Sequence, residues 1–177
     1  MRTLLPDPPP VEFERLLERR RLCGADVHDE VWGGVLHMNP MAHSQHAMIQ
    51  AQLLALLVPL GREAGLTVLG NFNLGERDDY RIPDGGLQRP SPGALYSATA
   101  ALVIEILSPG DETWNKLAFY AGHQVDELLI VDPAAQTVTW LGRSGDGYDP
   151  IARSDLIPLG PEELSERLDW PAGEPST

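Results

Sequence analysis

The most apolar run of the chain is interrupted once, by an acid. Ala100-Ala101-Leu102-Val103-Ile104 lead into Glu105, and Ile106-Leu107 follow before Ser108-Pro109-Gly110 turns the chain. Continuous apolar residues over such a length mark the central strand of a sheet, buried on both faces. A lone carboxylate inside that strand would neutralise rather than stay charged, because burying an unpaired charge is so costly. Glu105 is therefore protonated, salt-bridged or on a metal. A second acid, Asp84, ends the extended segment Arg81-Ile82-Pro83-Asp84 upstream, and Lys116 lies in a short helix just downstream. Two acids and a lysine so placed can meet around a divalent cation.

Size and charge bound what such a site can serve. The 177 residues and 19.4 kDa suit a single domain with a sizeable core. The expected division is an extended arm over residues 1–11, the domain over 12–170 and a flexible tail over 171–177. No apolar run reaches the length of a membrane span, the start carries no signal-peptide pattern, and the one cysteine, Cys23, has no internal partner. A cytoplasmic protein is the expectation. There are 26 acids against 13 basic residues, a net charge of −13. Nucleic-acid binders usually carry a basic footprint. Here the one basic cluster is Arg15, Arg19, Arg20 and Arg21, on a predicted helix. That counts against tight DNA binding by one subunit alone, but not against phosphate bridged by a metal ion, which inverts the local sign.

Taken in order, residues 13–22 read as a helix with Phe13, Leu16 and Leu17 on one face. Glu30-Val31-Trp32, Gly33-Gly34 and Val35-Leu36-His37-Met38 read as a hairpin. Ser44 is the expected N-cap of the longest helix, running to about Leu60 with Ile49, Leu53, Leu56 and Leu60 on its buried stripe and Gly61 and Gly65 ending it. Residues 66–74 read as one strand and 80–84 as extended, while 85–94, rich in glycine and proline, read as irregular. Asp111 is the expected cap of a helix reaching Ala121. A second hairpin spans 128–141, with an edge strand over 145–152 and a short helix before Trp170.

The ordered set Glu30-Val31-Trp32-Gly33-Gly34, His46, Tyr80-Arg81-Ile82-Pro83-Asp84, Val103-Ile104-Glu105-Ile106-Leu107 and Lys116-Leu117-Ala118-Phe119-Tyr120 resembles the Uma-two family. This is a bacterial group of restriction-endonuclease-like proteins in the PD-(D/E)XK nuclease superfamily. The resemblance covers residues 12 to 170. It implies an α/β (α+β) fold: a mixed β-sheet flanked by helices, a restriction-endonuclease-like core with an extra N-terminal hairpin. It makes Asp84 and Glu105 the metal-binding acids, with the backbone carbonyl of Ile106, and Mg²⁺ or Mn²⁺ the cofactor. The superfamily lysine would stand two residues after the second acid, where this chain has Leu107; the resemblance gives that role to Lys116. It puts His46 near the site.

Two carboxylates and a carbonyl can hold a hard cation with waters left on it, and the cation makes one of them a nucleophile near neutral pH. Lys116 can orient that water or offset developing charge on phosphate, and His46 can accept a proton or contact phosphate. The expected function is a metal-dependent endonuclease acting on DNA or another nucleic acid, as a homodimer paired through hairpin edges bearing Trp32 and Trp140. The competing expectation is a catalytically inactive dimeric binding protein. In that case Glu105 and Lys116 form a buried salt bridge, His46 is a hydrogen-bonded core histidine and Tyr120 serves packing.

Overall fold

The fold is described from a computed structural model covering residues 10–39, 42–110 and 112–171. Of the expected arm over 1–11, residues 1–9 lie outside the described residues, as do the stop at Pro40, the cap at Asp111 and residues 172–177 of the expected tail, while Val11 belongs to α1 and not to an arm. In chain order the elements are α1 (Val11–Leu22), β1 (Glu30–Trp32), β2 (Val35–His37), α2 (Ser44–Glu63), β3 (Thr67–Leu69), β4 (Asn73–Glu76), β5 (Asp79–Arg81), β6 (Gly85–Gln88), β7 (Tyr96–Ser97) and β8 (Leu102–Ile106). A 3-10 turn (Thr113–Lys116), α3 (Leu117–Gly122), β9 (Glu127–Asp132), β10 (Thr137–Ser144), β11 (Gly147–Pro150) and α4 (Pro161–Arg167) complete it.

The strands form two mixed sheets, ordered β11-β10-β9-β8-β6-β3 and β2-β1-β5-β4-β7. β8 and β9 run parallel, joined by a crossover through α3, and β8 pairs antiparallel with β6 on its other side. Every residue of β8 is buried, as its continuous apolar character predicts. Its side chains alternate between two cores. Leu102, Ile104 and Ile106 pack with Ile49, Leu53 and Leu57 of α2, while Val103 packs with Leu74, Val125 and Tyr120 on the α3 side. The period of two therefore points Glu105 toward α3.

Several expectations are corrected. Residues 66–74 are not one strand: they divide into β3 and β4, one in each sheet. Residues 85–88 are not irregular but form β6, between β3 and β8. The glycines there answer to close approach rather than to a turn. A Cβ on Gly86 would lie 2.5 Å from the Leu102 carbonyl oxygen, and one on Gly85 would lie 3.1 Å from that of Leu69. α2 is capped by the His43 ring, which accepts from the Gln45 N–H, not by Ser44. It runs on to Glu63 because Gly61 lets the helix close onto Val68 and Leu87, and Leu57 rather than Leu56 is fully buried.

Tyr120 is not only packing, since its hydroxyl is bonded to Glu105. The predicted hairpin turn holds, with Gly33 and Gly34 both at positive φ (54° and 82°). The hairpin is not an appendage, however: β1 pairs with β5 and so joins the smaller sheet. Neither tryptophan offers an exposed edge for pairing. Trp140 is 1% exposed on a strand paired on both sides, its indole N–H donating to Glu127. Trp32 lies between β2 and β5, stacked on His37.

Candidate active site

Asp84 sits just before β6, where its amide donates to the Ile104 carbonyl. Its carboxylate is held from two sides. Oδ2 accepts from the Ile106 amide at 2.8 Å, and Oδ1 lies 2.9 Å from His46 Nε2. An ionised carboxylate only accepts, so Nε2 carries the proton. Nδ1 of the same ring lies 3.2 Å from the Ser108 hydroxyl, which fixes the imidazole plane. Gln50, one turn along α2, donates to the Asp84 carbonyl, and Asn71 donates to that of Pro83. The first turns of α2 thus clamp the Pro-Asp segment against β8.

Glu105 meets a cluster from the other side. Lys116 Nζ lies 3.1 Å from Glu105 Oε1 and 3.1 Å from Glu30 Oε1. The Tyr120 hydroxyl donates to Glu105 Oε1. Glu30 also accepts from the Ile82 amide at 2.7 Å and from the Trp32 indole at 2.8 Å. All four side chains are buried. Burial pushes the Glu105 carboxyl up to about 7; the nearby Asp84 and Glu30 carboxylates add to the rise, while Lys116 and Tyr120 oppose it. Burial works against the Lys116 ammonium too, yet Glu105 and Glu30 outweigh it and hold the amine above its usual range. Burial, then the same two carboxylates, raise the Tyr120 hydroxyl.

Two carboxylates face one ammonium, and the Asp84 carboxylate lies near enough to act on Glu105. A cluster with excess negative charge and a carboxyl raised by burial and by its acidic neighbours is chemically suited to a cation. Asp84 and Glu105 are hard oxygen donors, and each ionised carboxylate has acceptor capacity beyond the hydrogen bonds it makes. The residues present therefore fit a divalent ion such as Mg²⁺ or Mn²⁺, though no ready-made cluster of three or more metal-ligating side chains occurs among the described residues. A cleft of about 670 Å³ opens over the cluster, walled by β1, the start of α2, Ser108, Pro109, Gly110 and Glu112. At its rim His37 lies 3.6 Å from Glu112. Burial lowers the His37 pKa, against the pull of Glu112 and Glu30.

The structure brings together Asp84, Glu105, Lys116, His46 and the Ile106 backbone. It also explains Leu107. That side chain follows Glu105 by two residues, lies just past the end of β8 on the Glu105 side and is packed into the apolar cluster under α3. The 3-10 turn crosses the same face and delivers an ammonium to Glu105 from Lys116, the sole lysine of the chain. Sequence reasoning missed Glu30, Gln50 and Asn71. Glu30 gave one faint signal, an acid two residues before Trp32 and so on the same strand face. Nearby, Arg81 lies between the Trp32 and Phe119 rings, 4.5 and 3.9 Å from their centroids.

The chain is similar over 78% of its length to a solved structure from Anabaena variabilis whose title reads "putative nuclease belonging to DUF820". The likeness covers 90% of that chain, with a TM-score of 0.64 and 16% identity, so it speaks to the fold, which is restriction-endonuclease-like. A search of curated proteins returns no match. Residues 12–169 match the family described as "Uma2: Putative restriction endonuclease", and the chain belongs to that family.

Proposed function

We propose that this chain is a divalent-cation-dependent nuclease that hydrolyses phosphodiester bonds of DNA or another nucleic acid. Asp84, Glu105 and the carbonyl of Ile106 would hold Mg²⁺ or Mn²⁺. When bound, the cation supplies a water of lowered pKa and a positive charge beside the scissile phosphate. The residues of the chain do the rest. His46, between Ser108 and Asp84, keeps the Asp84 carboxylate aimed into the cleft. Lys116 presents a charged donor beside Glu105, able to orient a water or offset charge on a phosphate oxygen. Glu105 and Lys116 are themselves buried at the cleft floor, where a low dielectric strengthens their interaction. The observation that carries the reading is that His46, Asp84, Glu105, Ile106 and Lys116 all line one cleft of about 670 Å³. A lysine from another element reaches the acid whose own strand supplies only Leu107.

The domain division at residues 12–170 and a homodimer belong to this reading. One such centre cuts one strand, so cutting both strands of a duplex at one place calls for two copies; light scattering at micromolar concentration tests the dimer. The test of the site is calorimetric titration of Mn²⁺ and Mg²⁺ into the wild type and Asp84→Asn, then cleavage assays on plasmid, single-stranded DNA and RNA. Saturable binding abolished by the substitution, with cleavage, supports the proposal. A folded protein that neither binds cation nor cleaves in its presence supports a second reading. That reading is an inactive dimeric binding protein in which Glu30, Glu105 and Lys116 form a structural ion cluster, and the net charge of −13 favours it.

A further inference from the structure

We infer that Glu30 is a positioning residue of this centre: its carboxylate keeps the Lys116 ammonium in the cleft when Glu105 turns to a cation. The catalytic consequence rests on the nuclease reading above; the geometry does not. Among the described residues, Lys116 Nζ has two partners, Glu105 and Glu30, each at 3.1 Å. Glu105 is the partner it would share. A divalent ion on that carboxylate draws its lone pairs away and repels the ammonium, since like charges a few ångströms apart interact strongly in a low dielectric. With one partner, Lys116 would be displaced when the site fills. Glu30 supplies the opposing attraction.

Glu30 is built to stay in place while it does so. It is 1% exposed, and both its oxygens are held, Oε1 by the Ile82 amide and Oε2 by the Trp32 indole. Ile82 lies two residues before Asp84. One carboxylate therefore ties the lysine to the segment that carries the first acid. The β1–β2 hairpin belongs to the reacting centre, not only to the smaller sheet.

Lys116 is the sole lysine, so modification by an amine-reactive acylating reagent, followed at its peptide by mass spectrometry, reads one site. The rate is compared for the wild type, Glu30→Gln, Glu30→Asp and Trp32→Phe, with and without Mn²⁺. In Mn²⁺, Glu30→Gln is expected to react at least about tenfold faster than the wild type, the change implied by losing one charge-assisted hydrogen bond. Without the cation, where Glu105 still holds the amine, the ratio is smaller. Trp32→Phe, which frees one oxygen of Glu30 without removing charge, shows an increase in the same direction and keeps the test alive should Glu30→Gln fail to fold. On a cleaved substrate, Glu30→Gln lowers kcat with little change in KM, and Glu30→Asp restores part of it. Folded variants whose Lys116 reacts at the wild-type rate in Mn²⁺ overturn the inference. A wild type that cleaves nothing overturns the nuclease reading instead, and the modification rates, which need no turnover, still decide the role of Glu30.

Discussion

Replacing Lys116 by Met keeps the length of the side chain and removes its charge. The ammonium is shared by Glu30 and Glu105, 1% and 5% exposed, so both lose their cation without gaining water. Breaking a buried pair by deleting one partner costs about 3–5 kcal/mol, whereas a change at a solvated helix lysine stays within about 0.5 kcal/mol. The two acids differ in what they can do next. Glu30 keeps the Ile82 and Trp32 donors, while Glu105, already raised to about 7, rises further and escapes by taking a proton. A carboxyl whose folded pKa is raised contributes stability that is full below its ordinary range and is lost as pH rises through the folded value. The destabilisation should therefore grow with pH, from about 3 kcal/mol at pH 5.5 to about 4 kcal/mol at pH 8, within the range for a broken buried pair and with a rise of about one pH unit's worth of linkage beyond the wild-type value. Urea unfolding in a chelating buffer at the two pH values measures it, through the midpoint at constant slope. A loss below about 1 kcal/mol at pH 8, as for a surface lysine, would refute the reasoning. So would equal losses at both pH values.

The wild type should itself lose up to about 3 kcal/mol of stability between pH 4.5 and 8 through Glu105, whose carboxyl burial pushes up to about 7. Glu105→Gln should flatten that slope in urea titrations without cation, and a variant as steep as the wild type argues against a raised Glu105. Gly86→Ala puts a methyl 2.5 Å from the Leu102 carbonyl and should destabilise by about 1–3 kcal/mol, the usual penalty of overpacking. An unchanged urea midpoint would mean that β6 and β8 lie further apart than described. His46→Ala frees the Asp84 carboxylate and should weaken Mn²⁺ binding about 10–100-fold in calorimetry, as loss of a ligand's orienting partner does. Unweakened binding would leave His46 with the role of a core histidine.

Elements set by local pattern could be read from the chain. β8 was legible from its apolar run, the β1–β2 turn from Gly33-Gly34, and α2 from the spacing of Ile49 and Leu53. Residues 66–74 misled because β-favouring residues say nothing about which sheet receives them, and the chain passes from one sheet to the other between Leu69 and Asn73. Gly85-Gly86 misled for the opposite reason. Glycine reads as loop, but here neighbouring backbone comes too close for any side chain, a fact that belongs to β3 and β8. Trp140 looked available for pairing because the edge strand expected over 145–152 does not announce which strand it covers, here β10.

By itself the sequence determined that Glu105 must be protonated, paired or on a metal. A carboxylate in a strand buried on both faces cannot stay charged alone, and that follows from composition and desolvation. Which partner it has was decided only by tertiary structure. Lys116 lies 11 residues away and Glu30 lies 75, and nothing local relates them. The crossover through α3 lays the 3-10 turn over the Glu105 face of β8, and the pairing of β1 with β5 brings Glu30 beside Ile82. Electrostatics states what a buried charge requires; the sheet order determines who supplies it.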